Sequence, residues 1–300
     1  MRKFVDICKM TQKEVKAYMA EYLTSNKYKV ENEDGFLYAK GDVPVLLVAH
    51  MDTVHRQLPT TIMEYDGKIS SHQGIGGDDR CGVFIIMNIV KKFHCSVVLC
   101  EDEEIGGIGA SKFARSSFIK QLDVNYIIEF DRMNATDAVF YSCDNEAFTN
   151  FVTDFTGFKT AFGSFSDISI IAPAAKIAAV NLSCGYYKPH TTDEYVVYDE
   201  MMNTVKAAEA LISAECDKFE YIPRRQMSFF DNNYPSKYVP EFRCPSASKD
   251  LDIEIEVVFM CEDGEDVGFG SGRTKAEAWL NFFETYDDVC FSQIVDYSFS

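Results

Sequence analysis

Four apolar runs separated by helical patterns constrain the fold of this chain more than any other feature. The runs are VPVLLVAH (43–50), CSVVLC (95–100), VNYIIEF (124–130) and KIAAVNLS (176–183). Continuous apolar runs of this length are typical of strands that are buried on both faces. Helix-like segments lie between them, at 81–93, 107–118 and 166–174. We therefore expect an α/β fold with a mostly parallel central sheet and helices on both faces.

Shorter signals extend this pattern along the first 219 residues. Thr11 and Glu14 have capping-box spacing, which predicts a helix over 11–24. KYKVEN and FLYAK alternate like a hairpin, and TTIMEYDGKIS predicts a second hairpin that turns at Asp66-Gly67. The segment 199–219 has the length and spacing of a long closing helix. The expected α/β domain therefore spans residues 1–219.

The rest of the chain has a different composition. Residues 220–250 are rich in Pro, Asn and Ser and predict a linker or an arm. Residues 251–300 contain a strand candidate, DIEIEVVFM, and a helix candidate, TKAEAWLNFFETY. We expect a small α+β appendage there, whose role the sequence leaves open.

Charge and cysteine usage limit the class of protein. The formal net charge of −18 argues against a nucleic-acid partner, because phosphates would be repelled. The ten cysteines form no CxxC pair, and we find neither a signal peptide nor an apolar stretch that could span a membrane. We therefore expect reduced thiols in a cytoplasmic protein without a membrane partner.

Polar residues follow each of the four predicted buried strands. They are His50 and Asp52 after the first run, Glu103 and Glu104 after the second, Asp131 after the third and His190 after the fourth. The glycine-rich stretch GIGGDDRCG adds Asp78 and Asp79. The carboxyl ends of parallel strands meet at one sheet edge, so these groups should lie together. Imidazoles and carboxylates are typical zinc ligands, and so acidic a cluster requires cations at its centre.

Each of these motifs has an ordinary structural interpretation when it is taken alone. A His-x-Asp sequence is often a surface pair, and adjacent glutamates often begin a helix. Asp78-Asp79 could be a helix N-cap, and His190 a plain loop residue. Their occurrence in order along one predicted sheet edge favours a site for two divalent cations with one bridging carboxylate.

The motifs together resemble those of the co-catalytic zinc exopeptidases, which include peptidase T, the aminoacylase and carboxypeptidase G group, and related zinc aminopeptidases. The matching stretches are HMDTVH, GIGGDDRCG, EDEEIGGIGA, EFDR and GYYKPHTTDEYV, and they extend from His50 to Val196. The resemblance implies a zinc exopeptidase-like, phosphorylase/hydrolase-like domain. It also implies two divalent ions, with Zn²⁺ first and Co²⁺ or Mn²⁺ as alternatives.

Residue roles follow from the resemblance position by position. It implies that one ion is bound by His50 and Asp131, the other by Glu104 and His190, and that Asp78 bridges them. Asp52 should orient the His50 imidazole. Glu103 should be the general base that takes a proton from the attacking water. The remaining expectation is that Asp167, Tyr186 and His55 contact the substrate.

Many members of this family carry an inserted lid domain, and the spacing here leaves no room for one. Asp78 lies 28 residues after His50, and His190 lies 59 residues after Asp131. Neither interval accommodates a domain of usual size. We therefore expect a lidless catalytic domain over 1–219. In the carboxypeptidase-like members the lid helps hold the substrate's carboxylate and makes the dimer, so the resemblance implies neither feature here, although an oligomer is compatible with this sequence.

Three functions fit these motifs. The first is an aminopeptidase that acts on short peptides, whose amine the acidic cluster would hold. The second is an N-acyl amino acid hydrolase, whose substrate carboxylate needs a basic anchor; Arg80 and Arg132 are the arginines near the motifs. The third is a non-catalytic relative that binds a peptide or a partner protein. The presence of Glu103 argues against the third, because a pure binder needs no base beside the metals.

Overall fold

A computed structural model describes residues 1–224 and three strands at 253–261, 264–272 and 294–299. The chain divides into two compact units, Met1–Arg225 and Gln226–Ser300. Most of the linker predicted over 220–250 lies outside the described residues, as does the predicted helix TKAEAWLNFFETY. Within the described part of that linker, Glu220 and Pro223 form isolated β-bridges with Ile177 and Cys143 of the first unit.

An eight-stranded sheet forms the centre of the first unit, with strand order β1-β2-β6-β3-β7-β10-β8-β9. Its strands are β1 (Val30–Glu33), β2 (Phe36–Ala39), β3 (Val43–His50), β6 (Cys95–Cys100), β7 (Tyr126–Arg132), β8 (Asp137–Val139), β9 (Lys159–Ala161) and β10 (Ala179–Ser183). The central strands β6, β3, β7 and β10 are mutually parallel, and they are the four predicted apolar runs. The predicted mostly parallel α/β sheet is confirmed.

Helices cover both faces of this sheet. They are α1 (Arg2–Cys8), α2 (Gln12–Ser25), α3 (Gly77–Ile89), α4 (Ile108–Arg115), α5 (Ser117–Lys120), α6 (Glu146–Thr156), α7 (Ile168–Ala175) and α8 (Tyr198–Ser213). Alternate residues of β3 belong to different cores: Leu47 packs with the α3 side, whereas Leu46 and Val48 pack with the α4 and α7 side. Burial of both strand faces explains why β3 reads as a continuous apolar run.

Two smaller antiparallel sheets complete the described structure. One has the order β11-β12-β5-β4 and contains the predicted hairpin that turns at Asp66-Gly67. Its strands are β4 (Met63–Tyr65), β5 (Lys68–Ser70), β11 (Tyr186–Tyr187) and β12 (Tyr195–Val197). The second unit contains the other sheet, β14-β13-β15, with β13 (Ile253–Cys261), β14 (Gly264–Gly272) and β15 (Ile294–Phe299). The strand predicted at DIEIEVVFM is β13.

Some of the remaining elements agree with the sequence-based expectation, and others differ from it. The capping box of Thr11 and Glu14 is present, and α2 begins at Gln12 as predicted. The closing helix α8 ends at Ser213 rather than near residue 219. Beyond it, the backbone N–H and C=O of Phe219 bond to Asn125 and Ala178, so the chain runs extended beside the sheet. The helices α1 and α6 and the strands β8, β9, β11, β12, β14 and β15 were not predicted from the sequence.

Among the described residues, no helix combines the length and apolarity needed to cross a membrane. The cysteines of this part of the chain form no disulfides, and all of them except Cys216 are buried.

Candidate metal centre

The carboxyl ends of the four central strands bring the predicted ligands together. His50 is the last residue of β3, Glu104 follows β6, and Asp131 lies near the end of β7. The side chains form two groups of three, and within each group the ligand atoms lie within 4.8 Å of one another. These groups are His50, Asp78 and Asp131, and Asp78, Glu104 and His190. Asp78 belongs to both groups, which is the position expected of a bridging carboxylate.

The two oxygens of Asp78 face different imidazoles. His50 Nε2 lies 3.0 Å from Asp78 Oδ1 and 3.5 Å from Asp131 Oδ1. His190 Nε2 lies 3.2 Å from Asp78 Oδ2 and 3.1 Å from Glu104 Oε2. One carboxylate therefore has an oxygen available to each of two neighbouring cation sites.

Asp52 orients the His50 ring and also holds the loop that follows β6. Its Oδ1 lies 3.1 Å from His50 Nδ1, so Nε2 is turned toward Asp78. The backbone N–H groups of Glu103 and Glu104 donate to the two Asp52 oxygens, each over 3.0 Å. A carboxylate behind a ligating imidazole fixes its tautomer and its orientation. Asp52 thus couples the position of His50 to that of the two glutamates.

Protons occupy this acidic cluster when cations are absent. Burial alone would lower the pKa of His50, but the carboxylates of Asp131, Asp52 and Asp78 raise that pKa well above its usual range. Hydrogen bonds to Asp78 and Glu104 raise the pKa of His190 to about 10. Burial and the charge of Asp78 raise the pKa of Asp131 to about 6. Each shift favours extra positive charge or less negative charge at the centre.

The residues present fit a pair of divalent ions. Glu104 Oε1 is buried and has no hydrogen-bond partner among the described residues, so it can bind a cation. Two imidazoles and three carboxylates form the nitrogen and oxygen donor set that zinc accepts. Buried anionic groups without compensating charge would be costly, and cations supply that charge.

The glycine-rich stretch forms the turn that presents Asp78. Gly76 precedes α3 with a φ of 65°, in the left-handed region that glycine adopts without strain. A Cβ atom on Gly82 would collide with the Phe130 carbonyl oxygen and the Asp79 carboxylate. Asp79 is fully buried and accepts hydrogen bonds from the backbone N–H groups of Gly82 (2.7 Å) and His50 (3.3 Å). Asp79 therefore ties the turn to β3.

Glu194 is a buried residue of this site that was not singled out from the sequence. Its Oε1 accepts the N–H of Asp78 over 3.0 Å, and its Oε2 accepts the N–H of Gly76 over 2.8 Å. His55 Nε2 lies 2.8 Å from the same Oε2. The available signal was its place in PHTTDEY, four residues after His190. Glu194 holds the backbone from which the Asp78 side chain extends.

A cleft of about 260 Å³ opens beside the two groups of ligands. Four carboxylates lie along it, including that of Glu103, and its apolar wall contains Met133, Tyr141, Phe165, Tyr186 and Pro189. Burial, reinforced by nearby Asp131, raises the pKa of Glu103 to about 8. A carboxyl group with such a pKa can exchange protons near neutral pH.

The three residues expected to contact substrate occupy different environments. Tyr186 lines the cleft, and its hydroxyl donates to Asp131 Oδ1 over 3.2 Å. His55 does not line the cleft, because it pairs with Glu194 and packs against Gly74. Asp167 is fully buried and does not line the cleft either. The structure therefore brings one of the three to the cleft, and it places His55 and Asp167 in the surrounding structure.

Comparisons with known proteins agree with this architecture. No protein-family model and no curated protein sequence matches the chain. Among solved structures, aminopeptidase PepT from Bacillus cereus matches with a TM-score of 0.60 at 14% identity. The match covers 70% of this chain and 96% of the PepT chain. A tripeptidase from Staphylococcus aureus matches with a TM-score of 0.58 at 14% identity, and the match covers 70% of this chain and 95% of the tripeptidase chain. An aminopeptidase from the archaeon Desulfurococcus kamchatkensis matches with a TM-score of 0.56 at 15% identity, and the match covers 71% of this chain and 95% of the aminopeptidase chain. The chain therefore has the fold of these aminopeptidases and of this tripeptidase over about 70% of its length.

Proposed function

We propose that this protein is a two-metal exopeptidase and that it acts as an aminopeptidase on short peptides. The observation that carries the proposal is the pair of ligand groups that share Asp78, with Glu103 on the adjoining cleft. The structural neighbours named as aminopeptidases and a tripeptidase support the same reaction class.

Five side chains would hold the two ions. His50 and Asp131 would bind one ion, Glu104 and His190 the other, and Asp78 both. When bound, divalent ions of this kind polarise the scissile carbonyl and acidify the attacking water. Asp52 keeps the His50 ring in place, and Glu194 keeps the Asp78 backbone in place.

Glu103 is the proposed general base. It would accept a proton from the attacking water and then donate that proton to the leaving amine. The pKa of about 8 in the metal-free protein would leave much of this carboxyl group protonated at neutral pH. Positive charge bound beside it would lower that pKa and favour the carboxylate that a base requires.

The charge and size of the cleft support short substrates with a free amine. The carboxylates that line it attract a positively charged N-terminus. Its volume of about 260 Å³ is slightly below the roughly 300–1,000 Å³ typical of small-molecule sites, which favours a small substrate. The apolar wall suits an uncharged side chain.

An N-acyl amino acid hydrolase is the second candidate. Arg132 lines the cleft, where it could bind the carboxylate that such substrates carry. The non-catalytic alternative lacks an observation that favours it, since Glu103 faces the cleft.

Substrate panels separate these functions. Protein reconstituted with Zn²⁺, Co²⁺ or Mn²⁺ would be tested on aminoacyl amides, short peptides and N-acetylated amino acids. We expect hydrolysis of the amides and peptides that a chelator abolishes. Turnover of the acetylated substrates alone would establish the amidohydrolase instead. Absence of any turnover with all three metals would favour the non-catalytic binder.

A further inference from the structure

Arg132 is the only lysine or arginine among the described residues that line the cleft. It follows Asp131 directly in β7, so its backbone is fixed beside a proposed metal ligand. The other charged groups that line it are the carboxylates of Asp78, Glu103, Glu104 and Asp131 and the imidazole of His190, which are proposed for the metals or for catalysis. Arg132 is the cation of the cleft that has no such role, so it marks the place where a negatively charged group can bind.

Arg80, the other arginine near the motifs, is committed elsewhere. Its side chain is buried, and its Nη1 and Nη2 groups donate to the backbone carbonyl oxygens of Met51, Asp52 and Met10, whereas its Nε has no partner among the described residues. These bonds tie α3 to the end of β3 and to the N-terminal helices. Arg80 is therefore a structural residue, and it presents no donor to the cleft.

The Arg132 guanidinium is only partly engaged. Its Nε is buried without a hydrogen-bond partner within residues 1–224. The nearest acid is Asp137, whose Oδ2 lies 3.4 Å away and already accepts a bond from Asn134 Nδ2 over 2.9 Å. The Arg132 side chain keeps 22% of its surface exposed. A guanidinium carries five N–H donors, so it can still bind an incoming carboxylate in two-point fashion.

We propose that Arg132 binds the α-carboxylate of the substrate and makes the site selective for short peptides with a free C-terminus. This inference rests on the proposed exopeptidase function and specifies its substrate class. The amine of the peptide lies toward the carboxylates and its C-terminal carboxylate lies at Arg132, so the two ends of the substrate meet opposite charges. An N-acyl amino acid carries the same carboxylate, and it is the other source of this ligand chemistry.

Kinetics with matched substrates test the role of Arg132. Leucylglycine carries a carboxylate, whereas leucinamide does not, and both carry the same amine. In Arg132→Ala we expect KM for leucylglycine to rise roughly 10- to 100-fold, with leucinamide changed by less than about 2-fold. Arg132→Lys should recover part of the loss, because a lysine keeps the charge without the two-point geometry.

Lys188→Ala is the control for loss of positive charge near the His190 loop. Lys188 is exposed and lies 4.0 Å from Asp193, and it does not line the cleft. We expect the same kinetics as the unsubstituted protein on both substrates. An equal loss on leucylglycine and leucinamide in Arg132→Ala, or no loss on either, would overturn the proposal.

A binding experiment separates this inference from the proposed function. Metal-loaded Glu103→Gln protein should bind leucylglycine more tightly than leucinamide by calorimetry, and adding Arg132→Ala should remove the difference. Equal binding of the two ligands refutes the carboxylate site even if the unsubstituted protein is an active aminopeptidase. Turnover of N-acetyl-leucine but not leucylglycine, with loss in Arg132→Ala, supports the carboxylate site and rejects the aminopeptidase.

Discussion

The backbone N–H of Asp78 donates a hydrogen bond to Glu194 Oε1 over 3.0 Å, although the two residues are 116 positions apart. The second Glu194 oxygen accepts the N–H of Gly76 and pairs with His55. The buried Glu194 carboxylate therefore holds the turn that presents the proposed bridging ligand.

Replacement of Glu194 should weaken metal binding without removing a proposed ligand. In Glu194→Ala, two buried N–H groups lose their acceptor, and the Asp78 turn is no longer fixed. We expect metal affinity to fall by roughly 10- to 100-fold, measured by competition with a chromogenic chelator. Glu194→Gln should lose less, since its amide oxygen can still accept one of the two bonds. Glu209→Ala is the control, because Glu209 lies on α8 and its carboxylate pairs with the exposed Lys92. Unchanged affinity in correctly folded Glu194→Ala would contradict this role.

Glu103 and Glu104 are adjacent but should respond differently to the same substitution. We expect Glu103→Gln to keep its metal content and to lose roughly 100-fold or more in kcat, because it removes the base. Glu104→Gln should lose one ion, because Glu104 lies 3.1 Å from His190 in the second ligand group. Metal analysis of the purified variants and kcat on one peptide substrate distinguish the two. A fully active Glu103→Gln protein would remove that residue from the mechanism.

Metal binding should release protons and should become tighter as pH rises. In the metal-free protein the pKa of His190 is about 10, so this imidazole is protonated near pH 7.5, and the neighbouring carboxylates also raise the pKa of His50. Both must lose a proton before they can bind a metal ion. We expect affinity to increase between pH 7 and pH 9, with proton release detected by calorimetry in two buffers of different ionisation enthalpy. An affinity that does not change with pH would show that these imidazoles are not ligands.

Asp167 should make the stability of the metal-free protein depend on pH. Burial raises its pKa to about 7 in the folded protein, against about 3.9 in an unfolded chain. Between these values the folded state keeps a proton that the unfolded state has lost. The free energy of unfolding therefore falls as pH rises toward 7, by at most about 1.4 kcal/mol per pH unit from this group.

Asp167→Asn should remove that contribution. We expect the variant to gain stability relative to the unsubstituted protein as pH increases from 5 to 7, with no further gain above pH 8. Urea unfolding of the metal-free proteins at several pH values measures the difference. The exposed Asp123→Asn is the matched control. Parallel stability curves for Asp167→Asn and the unsubstituted protein would contradict the prediction.

The central sheet could be predicted because its signals are local. The runs that form β3, β6, β7 and β10 are apolar on both faces, and parallel strands that alternate with helices place their carboxyl ends at one edge. That geometry was enough to expect His50, Glu104, Asp131 and His190 to lie near one another. The strands β8 and β9 were missed because each has only three residues and, unlike the equally short β4 and β5, neither is marked by a hairpin turn such as Asp66-Gly67.

The amino-acid sequence by itself determined the class of fold and the chemical types of the ligands, since apolar periodicity and residue identity act over short stretches of chain. Only the tertiary structure decided which of two arginines is buried against carbonyl groups and which faces the cleft. It also decided that His55 and Asp167 lie outside the cleft and that Glu194 supports Asp78. Such roles depend on which distant segments meet, because burial and hydrogen bonding are properties of the packed chain.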